Sequence, residues 1–374
     1  MKRLGIVVSH PIQYYSPLFR YLAKSIDLVV FYCHNPSEEE IGNDGFGIKF
    51  KWDQDLLSGY KYVFLNNISK TPSLSAFNGC DTPDIGQKFK EHNITHVVII
   101  GWYLKSHIQA LLQAKKLGIK TAVRGDSQLN PNEPLYKYLV KRIFYRFLIR
   151  KYDALLYVGK RNKEYLLKYG AKESQLIFSP HAVDQEFWRR EIKEHNNSEN
   201  KIIFIWIAKF IPLKRPFDAI DAFKVIYKKN PNTELWMIGS GELMNKCVEI
   251  TKDTEYIKLL GFKNQNELRS LLGEAHCLLL TSDSETWGLV VNEAFCMGIP
   301  AIVSTVCGVS ADLIEEGKTG YTYTVGDRDE LAKKTSEVCQ KLNNPNYFRK
   351  AILDKNMIYS YEQNEIAFKH FLSI

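Results

Sequence analysis

Short apolar runs alternate with helix-period segments along this chain of 374 residues, and the pattern runs its course twice. That alternation is the strongest constraint on the fold, because apolar runs too short for helices, each followed by an amphipathic helix, build parallel sheets with helices on both faces. In the first half the pattern predicts strands at Leu4–Ser9, Leu28–Tyr32, Val97–Ile100, Lys120–Val123 and Ala154–Val158. Helices are predicted at Leu104–Leu117 and Lys160–Tyr169, closed by Gly118 and Gly170. The stretch RREIKEHNNSENK at 189–201 is polar and without period, and reads as a linker. The pattern then restarts with strands at Ile202–Ala208, Leu235–Ile238, Ile257–Leu260, Cys277–Leu280 and Ala301–Ser304, and with a helix opened by Pro216. The expected architecture is α/β: two doubly wound, Rossmann-like domains facing a cleft, at 1–188 and 201–356, joined by a linker at 189–200. A last helix, within 357–374, is expected to cross back to the first domain.

Composition narrows the class. Apolar residues at 45% and charged residues at 25% are globular values. Seven scattered cysteines without a C-x-x-C pair argue against a disulfide framework or a zinc site, and for a reducing compartment. The opening MKRLGIVVSH is too short in apolar residues for a signal-peptide core and reads as a buried strand. No apolar run approaches the ~20 residues that span a bilayer. The expected location is the cytoplasm, with peripheral contact to the inner face of its membrane. The net charge of +8 is uneven: residues 1–190 hold 28 Lys and Arg against 17 Asp and Glu, or +11, and residues 191–374 hold 22 against 25, or −3. A basic first half suits an anionic partner. A nucleic acid is not expected, because neither an aromatic-rich RNA module nor a helix-turn-helix is visible.

The stretch SDSETWGLVVNEAFCMGIPAIVS, Ser282 to Ser304, carries the most chemistry. A polar loop holding Glu285 precedes a helix from about Gly288 to Met297 that holds Glu293. The first N–H groups of that helix, around Gly288, Leu289 and Val290, form an anion site at the positive end of the helix dipole. Upstream, AKFIPLKRP at 208–216 follows a strand and offers Lys209 and Lys214. Gly239-Ser240-Gly241 closes another strand, His181-Ala182-Val183-Asp184 enters the linker, and Gly308 precedes Asp312-Leu313-Ile314.

Glutamates seven residues apart, joined to W-G-L, N-E-A, G-x-P and a following apolar strand, resemble the signature of glycosyltransferase family 4, the retaining enzymes of the GT-B fold. The opening S-H-P-I-Q-Y resembles a bacterial branch of that family. The resemblance implies that Glu285 contacts donor-sugar hydroxyls and Glu293 the ribose, while Lys209 and Lys214 flank the donor diphosphate and Gly239 and Gly241 turn near the nucleotide. Lys209 stands where the family more often has Arg, and Lys is a point charge without a bidentate fork. The implied activity is transfer of a hexose-type sugar from a UDP- or GDP-linked donor, bound by the second domain, to a saccharide or lipid-linked acceptor, bound by the first, in surface polysaccharide or glycoconjugate synthesis. With two cations and a dipole at the diphosphate, neither a metal nor another cofactor is expected. A nucleotide-sugar epimerase of the same fold is the alternative.

In the first half His10 and Gln13 follow the first strand, as cleft contacts or, for His10, as a strand-end cap. Arg124 and Asp126 follow another strand and are acceptor or cleft candidates; Asp126 orients an acceptor hydroxyl or caps the next segment. Asp53 and Asp55 resemble a D-x-D metal motif but sit in a loop far from any donor signature, and read as structural or acceptor-loop residues. Leu135–Lys151 contains no acid. Arg142, Arg146 and Arg150 form one stripe, suited to an anionic membrane surface. Tyr136, Val140, Ile143, Phe144 and Phe147 gather on another, expected to face the core.

Overall fold

The computed structural model describes residues 2–37, 53–130, 133–189 and 201–374. The described chain divides into two compact units. One is built from 2–36, 55–130, 133–184 and 360–374, the other from 37, 53–54, 185–189 and 201–359. The predicted linker, apart from Arg189, lies outside the described residues.

In the first unit seven parallel strands lie side by side: β1 (Leu4–Val8), β2 (Leu28–Tyr32), β3 (Lys61–Phe64), β4 (His96–Ile100), β5 (Lys120–Gly125), β6 (Ala154–Tyr157) and β7 (Leu176–Phe178). Their order is β3-β2-β1-β4-β5-β6-β7, with β1 between β2 and β4 in registers such as Ile6↔Val30 and Ile6↔Val98. Successive residues of a strand point to opposite faces, and both faces are buried here. Val7, Val29, Phe31, Val97 and Ile99 join one core, while Leu4, Ile6, Val8, Val30 and Val98 join the other. The second core is completed by Tyr361, Ala367, Phe368 and Phe371 of the helix Tyr361–Ser373. Ser360 caps that helix, accepting from Gln363 N at 3.3 Å, and Asn364 Nδ2 donates to Pro180 O at 3.0 Å. Each of the two buried phenylalanines contributes about 1.5–3 kcal/mol, so this last helix is part of the first unit's core.

The second unit repeats the plan with β8 (Ile202–Ile207), β9 (Thr233–Ile238), β10 (Ile257–Gly261), β11 (Cys277–Leu280), β12 (Ala301–Ser304) and β13 (Gly320–Tyr323), in the order β10-β9-β8-β11-β12-β13. The two doubly wound parallel sheets are those expected from the sequence. Three strands escape the pattern: β3, β7 and β13.

The helix Leu135–Ile149 overturns one expectation. Its core-facing residues are Tyr138, Tyr145, Leu148 and Ile149. The apolar stripe expected to face the core is instead exposed, with Ile143 at 76% and Phe147 at 72% of full accessibility. The helix is apolar on two opposite sides, and periodicity does not tell which of the two is buried.

Candidate active site

In a doubly wound sheet, ligands bind beyond the carboxyl ends of the strands at the point where the strand order reverses. In the second unit that point lies between β8 and β11, paired as Phe204↔Cys277 and Trp206↔Leu279. The loop after β8 carries a short 3-10 turn, Pro212–Lys214, and Arg215 takes a left-handed φ of 49° before the helix Pro216–Lys229 begins. Hydrogen bonds tie β8 and this loop to the loop after β11. Trp206 Nε1 donates to Thr281 Oγ1 at 2.9 Å, and that hydroxyl donates to Lys214 O at 2.8 Å. Asp283 N donates to Leu213 O at 2.8 Å. With both loops fixed, Lys214 Nζ forms an ion pair with Glu285 Oε2, the side chains being 17% and 21% exposed.

Glu285 is held from its other side as well. Gly308 N donates to Glu285 O at 2.9 Å and Val309 N to Trp287 O at 3.0 Å. A Cβ on Gly308 would lie 2.0 Å from Thr286 O, so only glycine allows this approach. The helix Leu289–Cys296 then starts from Gly288, which adopts φ +109°. Leu289 and Val290 occupy its first turn, where backbone N–H groups have no intrahelical acceptor and the dipole favours an anion. Glu293 lies one turn further on and is only 2% exposed, so it is not a solvated helix residue. A carboxylate buried to this degree is costly unless it has a task or a partner.

Lys209 is half-buried at the end of β8. Gly239 and Gly241 are packed against its loop: a Cβ on Gly239 would lie 1.9 Å from Ala208 O, and one on Gly241 2.6 Å from Phe210 O. Phe210 N donates to Ser240 O at 2.8 Å. The glycines therefore set the backbone that carries Lys209.

In the first unit the order reverses between β1 and β4. His10 and Gln13 lie in the loop after β1, with His10 Nδ1 2.9 Å from Ser9 Oγ. The side-chain oxygen of Gln13 is buried and has no hydrogen-bond partner among the described residues. Arg124 corrects an expectation. It is 1% exposed, and its guanidinium donates to Ser179 Oγ at 3.2 Å, Tyr15 OH at 3.0 Å and Pro180 O at 2.8 Å. Those contacts brace the ends of β5 and β7, so Arg124 is a positioning residue and not a cleft ligand. Burial pushes the Tyr15 hydroxyl's pKa up, against the pull of the Arg124 cation. Asp126 is half-exposed, 3.7 Å from His181 Nε2. Asp53 Oδ2 accepts from Asn266 N at 3.0 Å and Nδ2 at 2.9 Å. Asp55 Oδ1 accepts from Leu57 N at 2.9 Å and Ser58 N at 3.1 Å, and these bonds hold its pKa below the ordinary value. The two carboxylates thus have separate structural partners. Among the described residues no group of three or more His, Cys, Asp or Glu side chains is gathered as a metal site.

The residues that assemble the site are partly ones the motifs do not mark. Thr281 and Trp206 join the two loops, and Tyr15, Ser179 and Asn364 surround Arg124. The one signal for the first pair is a threonine directly after an all-apolar strand.

Two parallel-sheet Rossmann-like domains are the architecture of the glycosyltransferase structures to which this chain is similar. Residues 188–354 match the family described as Glycosyl transferases group 1, a stretch whose described residues lie in the second unit. The chain is 28% identical over 201 residues to the N-acetyl-alpha-D-glucosaminyl L-malate synthase of Bacillus anthracis, covering 52% of this chain and 52% of that protein. It is 24% identical over 200 residues to the capsular polysaccharide biosynthesis glycosyltransferase CapM of Staphylococcus aureus, covering 52% and 50%. This chain thus spans about half the length of these curated relatives. Among solved structures, that of Anabaena Alr3699/HepE in complex with UDP is similar over 100% of both chains, with a TM-score of 0.72 and 13% identity. At that identity the likeness concerns the fold.

Proposed function

We propose that this chain is a family 4 glycosyltransferase that moves a hexose-type sugar, with retention, from a UDP- or GDP-linked donor to a saccharide or lipid-linked acceptor. The observation that carries the reading is the Lys214–Glu285 pair at the β8/β11 switch point, beside the start of the helix that buries Glu293. Lys214, Lys209 and the helix N-terminus at Gly288, Leu289 and Val290 oppose the charge that grows on the departing diphosphate. Glu285 takes donor-sugar hydroxyls and Glu293 the ribose hydroxyls. His10, Gln13 and Asp126 remain the acceptor-side candidates. On the retaining path the glycosidic bond to the diphosphate breaks as the acceptor oxygen bonds to the same face of the anomeric carbon, and the acceptor proton passes to the leaving phosphate oxygen. Two cations and a dipole neutralise the leaving group, so a divalent metal is not required. The relatives named for polysaccharide and glycoside synthesis support a saccharide or glycoconjugate acceptor.

Two measurements test this. Nucleotide sugars should raise the melting temperature in excess chelator, because a ligand at 100 times its Kd stabilises by about 2.7 kcal/mol. Nucleotide release should depend on the acceptor, and proton NMR should show the donor's anomeric configuration kept in the product. Stabilisation lost in chelator and restored by magnesium overturns the metal-free reading, and inversion overturns the retaining one. A new sugar epimer with no dependence on acceptor assigns the chain to the epimerases.

A further inference from the structure

We propose that the helix Leu135–Ile149 lies in the plane of an anionic lipid bilayer, with Tyr136, Val140, Ile143 and Phe147 sunk into the acyl boundary and Arg142, Arg146 and Arg150 at the phosphates. The first observation is exposure. Seven of the twenty exposed large apolar side chains among the described residues belong to this one helix of 15 residues. Monomeric proteins rarely concentrate apolar surface in this way unless something covers it.

The second observation is spacing. Residues 136, 140, 143 and 147 recur every three or four positions and so form one stripe. Leu139 and Phe144 flank it. The opposite side is already occupied, because Tyr138, Tyr145, Leu148 and Ile149 pack into the first unit's core. The outward stripe therefore has no partner within that core.

Charge selects the occupant. Residues 134–151 hold three lysines and three arginines and no acid. The one ion pair made by these cations among the described residues joins Lys141 to Glu133. Arg142, Arg146 and Arg150 run alongside the apolar stripe, and Lys151 Nζ sits 5.0 Å from the centre of the Phe147 ring. A second copy of the chain docked on this face would bring two such cation sets together without a single intervening acid from either helix. An anionic bilayer meets both features, apolar interior and negative surface. Fifteen residues make a helix of about 22 Å, shorter than the ~20-residue helix that spans a bilayer, so it lies along the surface.

The test is cosedimentation of the full chain with phosphatidylglycerol–phosphatidylcholine vesicles and with pure phosphatidylcholine vesicles, at low and raised salt. The parent should bind the anionic vesicles. Ile143→Ser/Phe147→Ser should lower the partition coefficient about 100-fold at either salt. Arg142→Gln/Arg146→Gln/Arg150→Gln should lower it about 100-fold at low salt, and much less at raised salt where the parent's own ionic attraction is screened. Ile143→Leu/Phe147→Leu should stay within about threefold. If the serine pair disturbs folding by circular dichroism, Phe147→Trp decides: the emission it adds should shift to the blue on anionic vesicles and be quenched by brominated acyl chains. The proposal is overturned if the parent fails to bind anionic vesicles at low salt, if the folded serine variant binds like the parent, or if the emission added by Phe147→Trp does not change. It is overturned too if the parent is a dimer in sedimentation velocity that the serine pair dissociates. Partition is independent of turnover, so a failure here is distinct from a failure of the transferase reading.

Discussion

Replacing Lys214 by Met removes one charge from the proposed diphosphate site and also leaves the Glu285 carboxylate without its ion-pair partner. The two effects differ in size and in where they register. At an effective dielectric of about 20, unit charges 4 Å apart attract by ~4 kcal/mol. Desolvation cancels part of this for a pair roughly four-fifths buried, so the net loss of stability should be about 1–2 kcal/mol, or a fall of ~2–8 °C in melting temperature for a unit of this size. In turnover, the loss resembles removal of an oxyanion donor, about 10²–10³ in kcat, or ~2.7–4 kcal/mol. The double variant Lys214→Met/Glu285→Gln separates them. With no carboxylate left unpaired, it should recover most of the stability and none of the turnover. Melting curves and acceptor-dependent nucleotide release on the parent, both single variants and the double variant supply all the quantities of the cycle. A Lys214→Met enzyme with the parent's kcat, or a double variant that regains it, refutes the assignment of Lys214 to the leaving group.

Glu293→Gln should chiefly raise the donor KM, with kcat changed far less than by Lys214→Met, since the proposed ribose contacts would barely change on the way to the transition state; steady-state kinetics check the split. Gly239→Ala should cost about 2–4 kcal/mol through the collision with Ala208 O, whereas Gly261→Ala, at φ +70° with open space beside it, should cost only ~1 kcal/mol; urea melts compare them. His107 is buried, neither ring nitrogen has a partner among the described residues, and burial pushes its pKa down to about 3. The unfolded chain then holds the extra proton between pH ~6.5 and 3, so stability should fall as pH falls through that window, and His107→Leu should flatten the fall in an acid titration of melting temperature. Burial pushes the Glu234 carboxyl up, but bonds from Lys201, Lys258 and Trp236 outweigh it and hold the pKa down to about 2. Its contribution, about 2–3 kcal/mol, should be complete above pH ~5 and vanish toward pH 2, and Glu234→Gln should abolish that part of the acid transition.

The two doubly wound sheets were legible because their central strands are buried on both faces and read as unbroken apolar runs. The edge strands β3, β7 and β13 lack that property. Lys61–Phe64 is largely exposed, Leu176–Phe178 has three residues, and Gly320–Tyr323 carries a glycine and a threonine. The last helix was expected within 357–374, but the helix Arg349–Ile358 reaches into that range and a new one starts after Ser360, a break marked by the Ser360–Gln363 capping pattern. At the site, the loops bearing Lys214 and Glu285 were visible as polar segments after apolar strands. Their meeting was not visible, because it depends on β8 and β11 being neighbours and on Thr281 reaching the Lys214 carbonyl. Arg124 misled for a related reason: a charged residue at a strand end looks the same in sequence whether its partners are a ligand or Tyr15, Ser179 and Pro180.

The helix that completes the first unit is synthesised only after the second unit. The Lys2 ammonium donates to the Leu372 carbonyl, and Phe371 packs edge-on to His96. When the ribosome has finished Asp184, one core of the first sheet still lacks Tyr361, Ala367, Phe368 and Phe371. The intervening 175 residues, Gln185 to Tyr359, take roughly 10–35 s to make at ~5–20 residues per second. Through that interval the unit begun first waits with an apolar face uncovered, while the unit begun second acquires every strand of its sheet. Maturation should therefore run against the order of translation, and a chain stalled at residue 359 would hold a finished second domain and an open first one.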